Sequence, residues 1–209
     1  MINGIDVSDW QGTIDFAELK GDPNGGGFVY AKASEGLTIT QDTFRANHDG
    51  CKANGIPFAP YHFFHADADG ILQAKFFLEQ INGYQGTLVP GVDVEQGGMR
   101  GQPRNVVIMQ LLYFDNELRK SLPAGKLPVI YFEYSLWVDF LQGFDGFGGH
   151  PAWPAAYNTD ATLDMTGTGW KDWAMWQHSN GQIGNPPPIK GISGNVDRDR
   201  CKDLTKLYR

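Results

Sequence analysis

Short apolar runs alternate with amphipathic helical stripes along the first two thirds of this chain, and that alternation restricts the folds open to it. Strand-like runs occupy 5–7, 28–33, 57–64, 88–95 and 127–132. Between them, Phe44, His48 and Cys51 recur at helical spacing with Gly55 as a stop, and Ile71, Ala74, Leu78 and Ile81 form a stripe ended by Gly83. Pro103 opens a third stripe through Val107, Leu111, Phe114 and Leu118, and 136–141 reads as a short fourth helix. Repeated β-α units imply a parallel sheet with helices outside. After Leu141 the helical stripes fade, and three strand-like runs remain at 152–157, 173–177 and 195–197. Eight strand candidates point to a closed barrel. A regular TIM barrel takes about 250 residues, and this chain has 209. The expected fold is therefore an α/β, irregular, TIM-like barrel in a single domain. A doubly wound open sheet is the alternative, and no GxGxxG follows a strand to support its dinucleotide-binding form.

Composition removes several functional classes. The net charge of −7, with no Lys/Arg cluster, excludes nucleic acid and an anionic membrane surface as natural partners. No apolar run reaches the roughly 20 residues of a membrane span, and Met1 to Asp6 has neither the basic nor the apolar region of a signal peptide. The two cysteines, Cys51 and Cys201, sit in no CxxC and near no Cys/His cluster, so no structural zinc is expected and two separate buried thiols are preferred to a disulfide. The Gly/Pro clusters at 22–27, 97–103, 143–149 and 185–188 are loop-sized, so none divides the chain into domains.

Four acids share one position: Asp6, Asp93, Glu95 and Asp197 each lie at or near the C-terminal end of a strand candidate, which in a β/α barrel is the active-site rim. Asp93 and Glu95 are two residues apart, so in a strand they share a face with Cα atoms about 6.6 Å apart. At that range and an effective dielectric near 20, one charge costs the other about 2.5 kcal/mol, roughly two pKa units. One group can then remain protonated while the other is an anion, the division of labour that glycosidic cleavage needs. The same pair of oxygens could hold a divalent cation. The aromatics crowding these strand ends, Tyr61 to Phe64, Tyr131, Trp153, Tyr157 and Trp176, favour a sugar cleft. No Gly-x-Ser-x-Gly elbow supports a serine hydrolase. His62 reads as a hydrogen-bonding residue in the wall of the site, and Lys32 with Glu35 as support behind it.

At these residues the chain resembles glycoside hydrolase family 25, the Chalaropsis-type lysozymes. The resemblance runs in order through Gly4-Ile-Asp-Val-Ser-Asp-Trp-Gln11, Phe28-Val-Tyr-Ala-Lys-Ala-Ser-Glu-Gly36, Tyr61-His62-Phe63, Gly91-Val-Asp-Val-Glu95, Trp176-Gln177-His178-Ser179 and Val196-Asp197. It implies a (β/α)5β3 barrel and one catalytic domain over 1–209. It also implies an N-acetylmuramidase cutting the β-1,4 bond between N-acetylmuramic acid and N-acetylglucosamine in peptidoglycan. On the matching positions Glu95 would be the general acid/base and Asp93 would orient the substrate's 2-acetamido group, giving substrate-assisted retention. Asp6 and Asp197 would flank the site, and Tyr61, Tyr131, Tyr157 and Gln177 would contact sugar. The expected enzyme needs no cofactor or metal and works as a monomer on peptidoglycan glycan chains, secreted or released with phage. Departures from the family pattern are Pro60, His178, the Pro-rich segment 184–190 and Arg198-Asp199 in place of a more usual Leu-Asn. The competing readings are a wall-binding module that has lost catalysis and a chitin-type glycosidase.

Overall fold

The structure is a computed structural model that describes residues 1–157, 163–183 and 186–209. Nine strands form one sheet: β1 (Ile2–Val7), β2 (Val29–Glu35), β3 (Ile39–Thr40), β4 (Phe58–Phe63), β5 (Gly91–Val94), β6 (Val129–Glu133), β7 (Ala152–Ala155), β8 (Met175–Ser179) and β9 (Asp197–Cys201). The sheet order is β1-β9-β8-β7-β6-β5-β4-β2-β3, and β1 also pairs with β2, which closes eight strands into a barrel and leaves β3 as a short flap on β2. The helices are α1 (Phe16–Lys20), α2 (Phe44–Asn54), α3 (Gly70–Gln80), α4 (Gln96–Met99), α5 (Arg104–Arg119) and α6 (Tyr134–Phe140). All follow the first five barrel strands, so the expected irregular (β/α)5β3 barrel is the fold.

Two expectations need correction. The barrel is mixed rather than parallel, because β9 runs antiparallel to both β8 and β1. Consequently Asp197 begins its strand instead of ending one. Its register partner is Asp6, so a strand start and a strand end meet at the same rim. The second correction concerns α3: Ala74 and Ile81 of the expected stripe are buried and Leu78 packs against the core, but Gly70, Gln73 and Phe77 complete the buried face and Ile71 is only half-buried. Gly70 shares the buried face because a Cβ there would lie 2.0 Å from Gln110 O of α5, so only glycine lets the two helices cross this closely. The helices on either side follow the sequence signals. Val107, Leu111, Phe114 and Leu118 of α5 are all fully buried, and α2 stops at Gly55 in the left-handed region (φ 63°).

Alternation along each strand builds two different layers. Ile5, Val7, Val29, Ala31, Val92, Val94, Ile130 and Phe132 face outward into an apolar layer under the helices. Burying each of these side chains other than Ala31 is worth about 1.5–3 kcal/mol. The inward positions are Tyr30, Tyr61, Tyr131 and Trp153, with Phe28 below them. Trp153 sits at the centre, 4.8 Å from the Tyr30 ring and 5.0 Å from Tyr131. Rings this large fit a narrow barrel only where the facing strand has no side chain; a Cβ on Gly4 would strike the Phe28 ring at 2.5 Å. Cys51 and Cys201 are separate buried thiols. No helix among the described residues is long and apolar enough to cross a membrane.

Candidate active site

The mouth of the barrel holds a pocket of about 190 Å³ lined by all eight residues singled out from sequence: Asp6, Tyr61, Asp93, Glu95, Tyr131, Tyr157, Gln177 and Asp197. Strand geometry delivers them. Asp93 is an inward position of β5, and Glu95 follows where the strand ends and α4 begins. Asp6 and Asp197 are brought side by side by the β1–β9 pairing, and Tyr131 and Gln177 by the inward rows of β6 and β8. The pocket opens past Glu95 and Tyr157 into a shallower groove bounded by Glu133, Tyr134 and Ile183, so an elongated ligand can extend beyond the mouth. A larger cavity, about 500 Å³, lies at the opposite end of the barrel beside Phe58 and Tyr208, and no Asp or Glu lines it.

The acids are lifted toward protonation chiefly by burial. Asp93 is held well above the ordinary carboxylate range by burial and then by the charge of Glu95, with Lys32 opposing. Its Oδ1 has no hydrogen-bond partner among the described residues. Glu95 is also raised by burial, with the neighbouring Tyr131 hydroxyl opposing. Burial and the neighbouring Glu95 push Asp197 up to about 6, while burial with the charges of Asp199 and Asp197 raises Asp6 well above its ordinary value. Neutral and anionic carboxyls therefore coexist within one small site, as general acid catalysis near neutral pH requires.

Hydrogen bonds connect the polar wall. The Gln177 amide donates from Nε2 to Asp6 Oδ2 at 2.8 Å. Its Oε1 accepts from the Tyr157 hydroxyl at 2.9 Å and the Tyr131 hydroxyl at 3.1 Å. Lys32 reaches the pocket and is tied to Glu35 at 2.6 Å, and Glu35 Oε1 lies 2.9 Å from His65 Nε2. Among the described residues, no group of three or more His, Cys, Asp or Glu side chains is placed to hold a metal ion.

Several residues differ from the sequence reading. His62 does not line the pocket. It points outward, fully buried, with Nδ1 2.9 Å from Ser34 Oγ and its ring stacked on Phe114, and burial lowers it to about 3. Alternation on β4 is the reason: Tyr61 and Phe63 face in, so His62 must face out. Phe64 and Trp176 likewise belong to the outer layer. Residues 184 and 185 of the Pro-rich segment lie outside the described residues. Sequence reasoning missed two residues here. Trp10 lines the pocket yet is 94% exposed. It stands on a short turn pinned by the Ser8–Gln11 capping box and by Asp9, which accepts from the Thr43 amide and hydroxyl. A tryptophan inside the polar run Ser8-Asp9-Trp10-Gln11, directly after a strand end, was the available signal. The second is Asp199, buried two residues along β9 from Asp197.

Comparison with known proteins follows this geometry. The family model for glycosyl hydrolases family 25 matches residues 5–185. The chain is 30% identical over 207 residues to Lysozyme M1 of Streptomyces globisporus, covering 95% of this chain and 67% of that protein. It is 27% identical over 218 residues to the N,O-diacetylmuramidase of a Chalaropsis species, covering 99% and 98%. Among solved structures it is similar to the bacterial lysozyme from Streptomyces coelicolor, with a TM-score of 0.83 at 26% identity over 99% of this chain and 94% of that one.

Proposed function

The chain belongs to glycosyl hydrolase family 25, and from that premise we propose that it is a peptidoglycan-hydrolysing muramidase in which Glu95 is the general acid/base. It cleaves the β-1,4 bond between N-acetylmuramic acid and N-acetylglucosamine. The observation that carries this reading is the pairing of Asp93 and Glu95 at the mouth of a carboxylate- and aromatic-lined barrel, with both acids raised by burial. Glu95 gives its proton to the glycosidic oxygen as the bond breaks. The carbonyl oxygen of the substrate's own 2-acetamido group attacks the anomeric carbon, and Asp93 holds the acetamido N–H. Water then opens that intermediate while the Glu95 carboxylate takes its proton, so configuration is retained. Asp6 and Asp197 flank the reacting sugar, with Tyr61, Tyr131, Tyr157 and Gln177 contacting it. Trp10 offers an exposed ring on a fixed base against which a sugar can stack.

Residues 1–209 act as one catalytic domain and as a monomer on the wall, reached by secretion or by release with phage. The decisive experiment is Glu95→Gln with reducing-end release from purified walls: the rate falls by about 10³-fold or more while the folded circular dichroism spectrum is kept. Wall cleavage that survives the change overturns the assignment. NMR of the first-formed anomer tests retention separately, since an inverted product rules out attack by the acetamido group.

A further inference from the structure

Asp199 lies deeper in the barrel than the four rim acids. It is an inward position of β9, fully buried, opposite Gly4 of β1 and Gln177 of β8 in the strand register. Its Oδ1 accepts a hydrogen bond from Trp153 Nε1 at 2.7 Å. Its Oδ2 is buried with no hydrogen-bond partner among the described residues. Across the β1–β9 register Asp199 is the inward neighbour diagonal to Asp6, whose Oδ2 is committed to the Gln177 amide. Two carboxylates so close cannot both be anions without a partner, and a buried acceptor left unpaired costs about 1–3 kcal/mol. One hydrogen between the two carboxyls removes both penalties.

We infer that Asp199 is a positioning residue for the proposed hydrolysis: it shares a hydrogen with Asp6 and thereby fixes which way the Gln177 amide points. With that hydrogen placed between the acids, Asp6 Oδ2 remains an acceptor. Gln177 must then present Nε2 to Asp6 and Oε1 to the tyrosines, the orientation seen. The single Tyr131 hydrogen, which the neighbouring Glu95 could otherwise take, is thereby drawn to Gln177 Oε1. Were the hydrogen on Oδ2 instead, the amide would reverse and offer its N–H groups to Tyr131 and Tyr157. The Tyr131 proton would then be free to go wholly to Glu95, stabilising the anion and weakening the acid. Asp199 therefore acts on Glu95 through three linked groups, Asp6, Gln177 and Tyr131, without touching the sugar.

The groups facing the pair are Asp197 on β9, Gln177 on β8, Trp153 on β7, Tyr30 on β2, Tyr61 on β4, Tyr131 on β6 and Tyr157 after β7, with Cys201 below. Burial raises Asp199 to about 8, opposed by the Trp153 bond and reinforced by the charge of Asp197. The shared hydrogen is thus held at neutral pH.

The inference rests on the proposed muramidase, so its test includes readouts that need no substrate. Infrared difference spectra of wild type against Asp199→Asn at pH 7 should show loss of a protonated-carboxyl band. The fall in Tm between pH 5 and pH 8 should shrink by roughly 5 °C in the variant, because a buried acid that holds its proton only in the fold has been removed. Asp199→Ala should lower kcat for wall cleavage at least about tenfold with KM little changed. Asp199→Asn should recover most of that loss, because its amide can donate to Asp6. A carboxyl band and Tm slope unchanged in Asp199→Asn would overturn the shared hydrogen. Equal kcat in wild type and Asp199→Ala would overturn the positioning role. A wild-type chain that does not cleave walls would refute the muramidase reading and leave the infrared result standing.

Discussion

Buried carboxylates on the two sides of the barrel wall are treated in opposite ways. Outside, Asp115 of α5 is 2% exposed and fully partnered, with Oδ1 2.9 Å from His150 Nε2 and Oδ2 3.7 Å from Arg119. Inside, none of Asp6, Asp93, Glu95, Asp197 and Asp199 forms an ion pair among the described residues, and two of their oxygens have no partner. Lys32, the cation nearest Asp93, is already bound to Glu35. Taking a charge out of water costs several kcal/mol unless it is paired. The outer acid meets that cost with the His150 ring and the Arg119 guanidinium as partners and contributes to packing. The inner acids meet it by holding protons, which leaves acid groups stored at the rim where a leaving group can use them.

The contrast is broken most strongly by removing one inner charge. Asp93→Asn should lower kcat on walls by about 10²–10³-fold. The same change should raise Tm at pH 7 by about 3 °C, because an unpartnered buried acid is replaced by a neutral amide. A lower Tm would show that Asp93 is compensated after all. Asp115→Asn should do the reverse. It should cost about 2–3 kcal/mol in urea unfolding, since His150 and Arg119 lose their carboxylate partner, and leave kcat unchanged. Retained stability would mean that the outer pair is not what holds α5 to the loop before β7. The mildest probe is pH. Asp197 and Asp199 have folded-state values of about 6 and about 8, above the ordinary carboxylate range, so the fold binds their protons more tightly than the unfolded chain does. Their stabilisation is complete below about pH 4 and is lost as pH rises through 6 and then 8. Thermal scans should therefore show Tm falling between pH 5 and pH 8. A Tm that rises across that window contradicts the inner half of the comparison.

How far the sequence could be read follows from what kind of pattern each element writes. The β-α alternation and the Asp93–Glu95 spacing are visible because apolar outward rows flank polar inward ones, as in Val92-Asp93-Val94. Strand β9 writes no such pattern. Asp197, Asp199 and Cys201 face in while Arg198 and Arg200 face out, so polar residues occupy both faces. That strand read as ending at its first residue, and its reversed direction left no mark at all. Asp199 was hidden with it. His62 was misplaced because a histidine beside a tyrosine at a strand end looks like part of the same wall. Only strict alternation, which sends neighbours to opposite faces, separates them. Trp10 escaped because exposure of a large ring depends on the turn that carries it and not on its neighbours' hydropathy.

The β1–β9 pairing also sets when this molecule can start to work. Ile2 lies opposite Cys201, a separation of 199 residues, and such distant partners make for slow folding because the loop must close before contacts reward it. During synthesis at about 5–20 residues per second, β1 waits at least roughly ten seconds for its neighbour to be made. Asp6 and Asp197 come from these two strands, so half of the acid cluster has no counterpart until the last barrel strand is in place. A nascent or C-terminally clipped chain would carry Asp93 and Glu95 without Asp197 and without the closed mouth that gathers the acids.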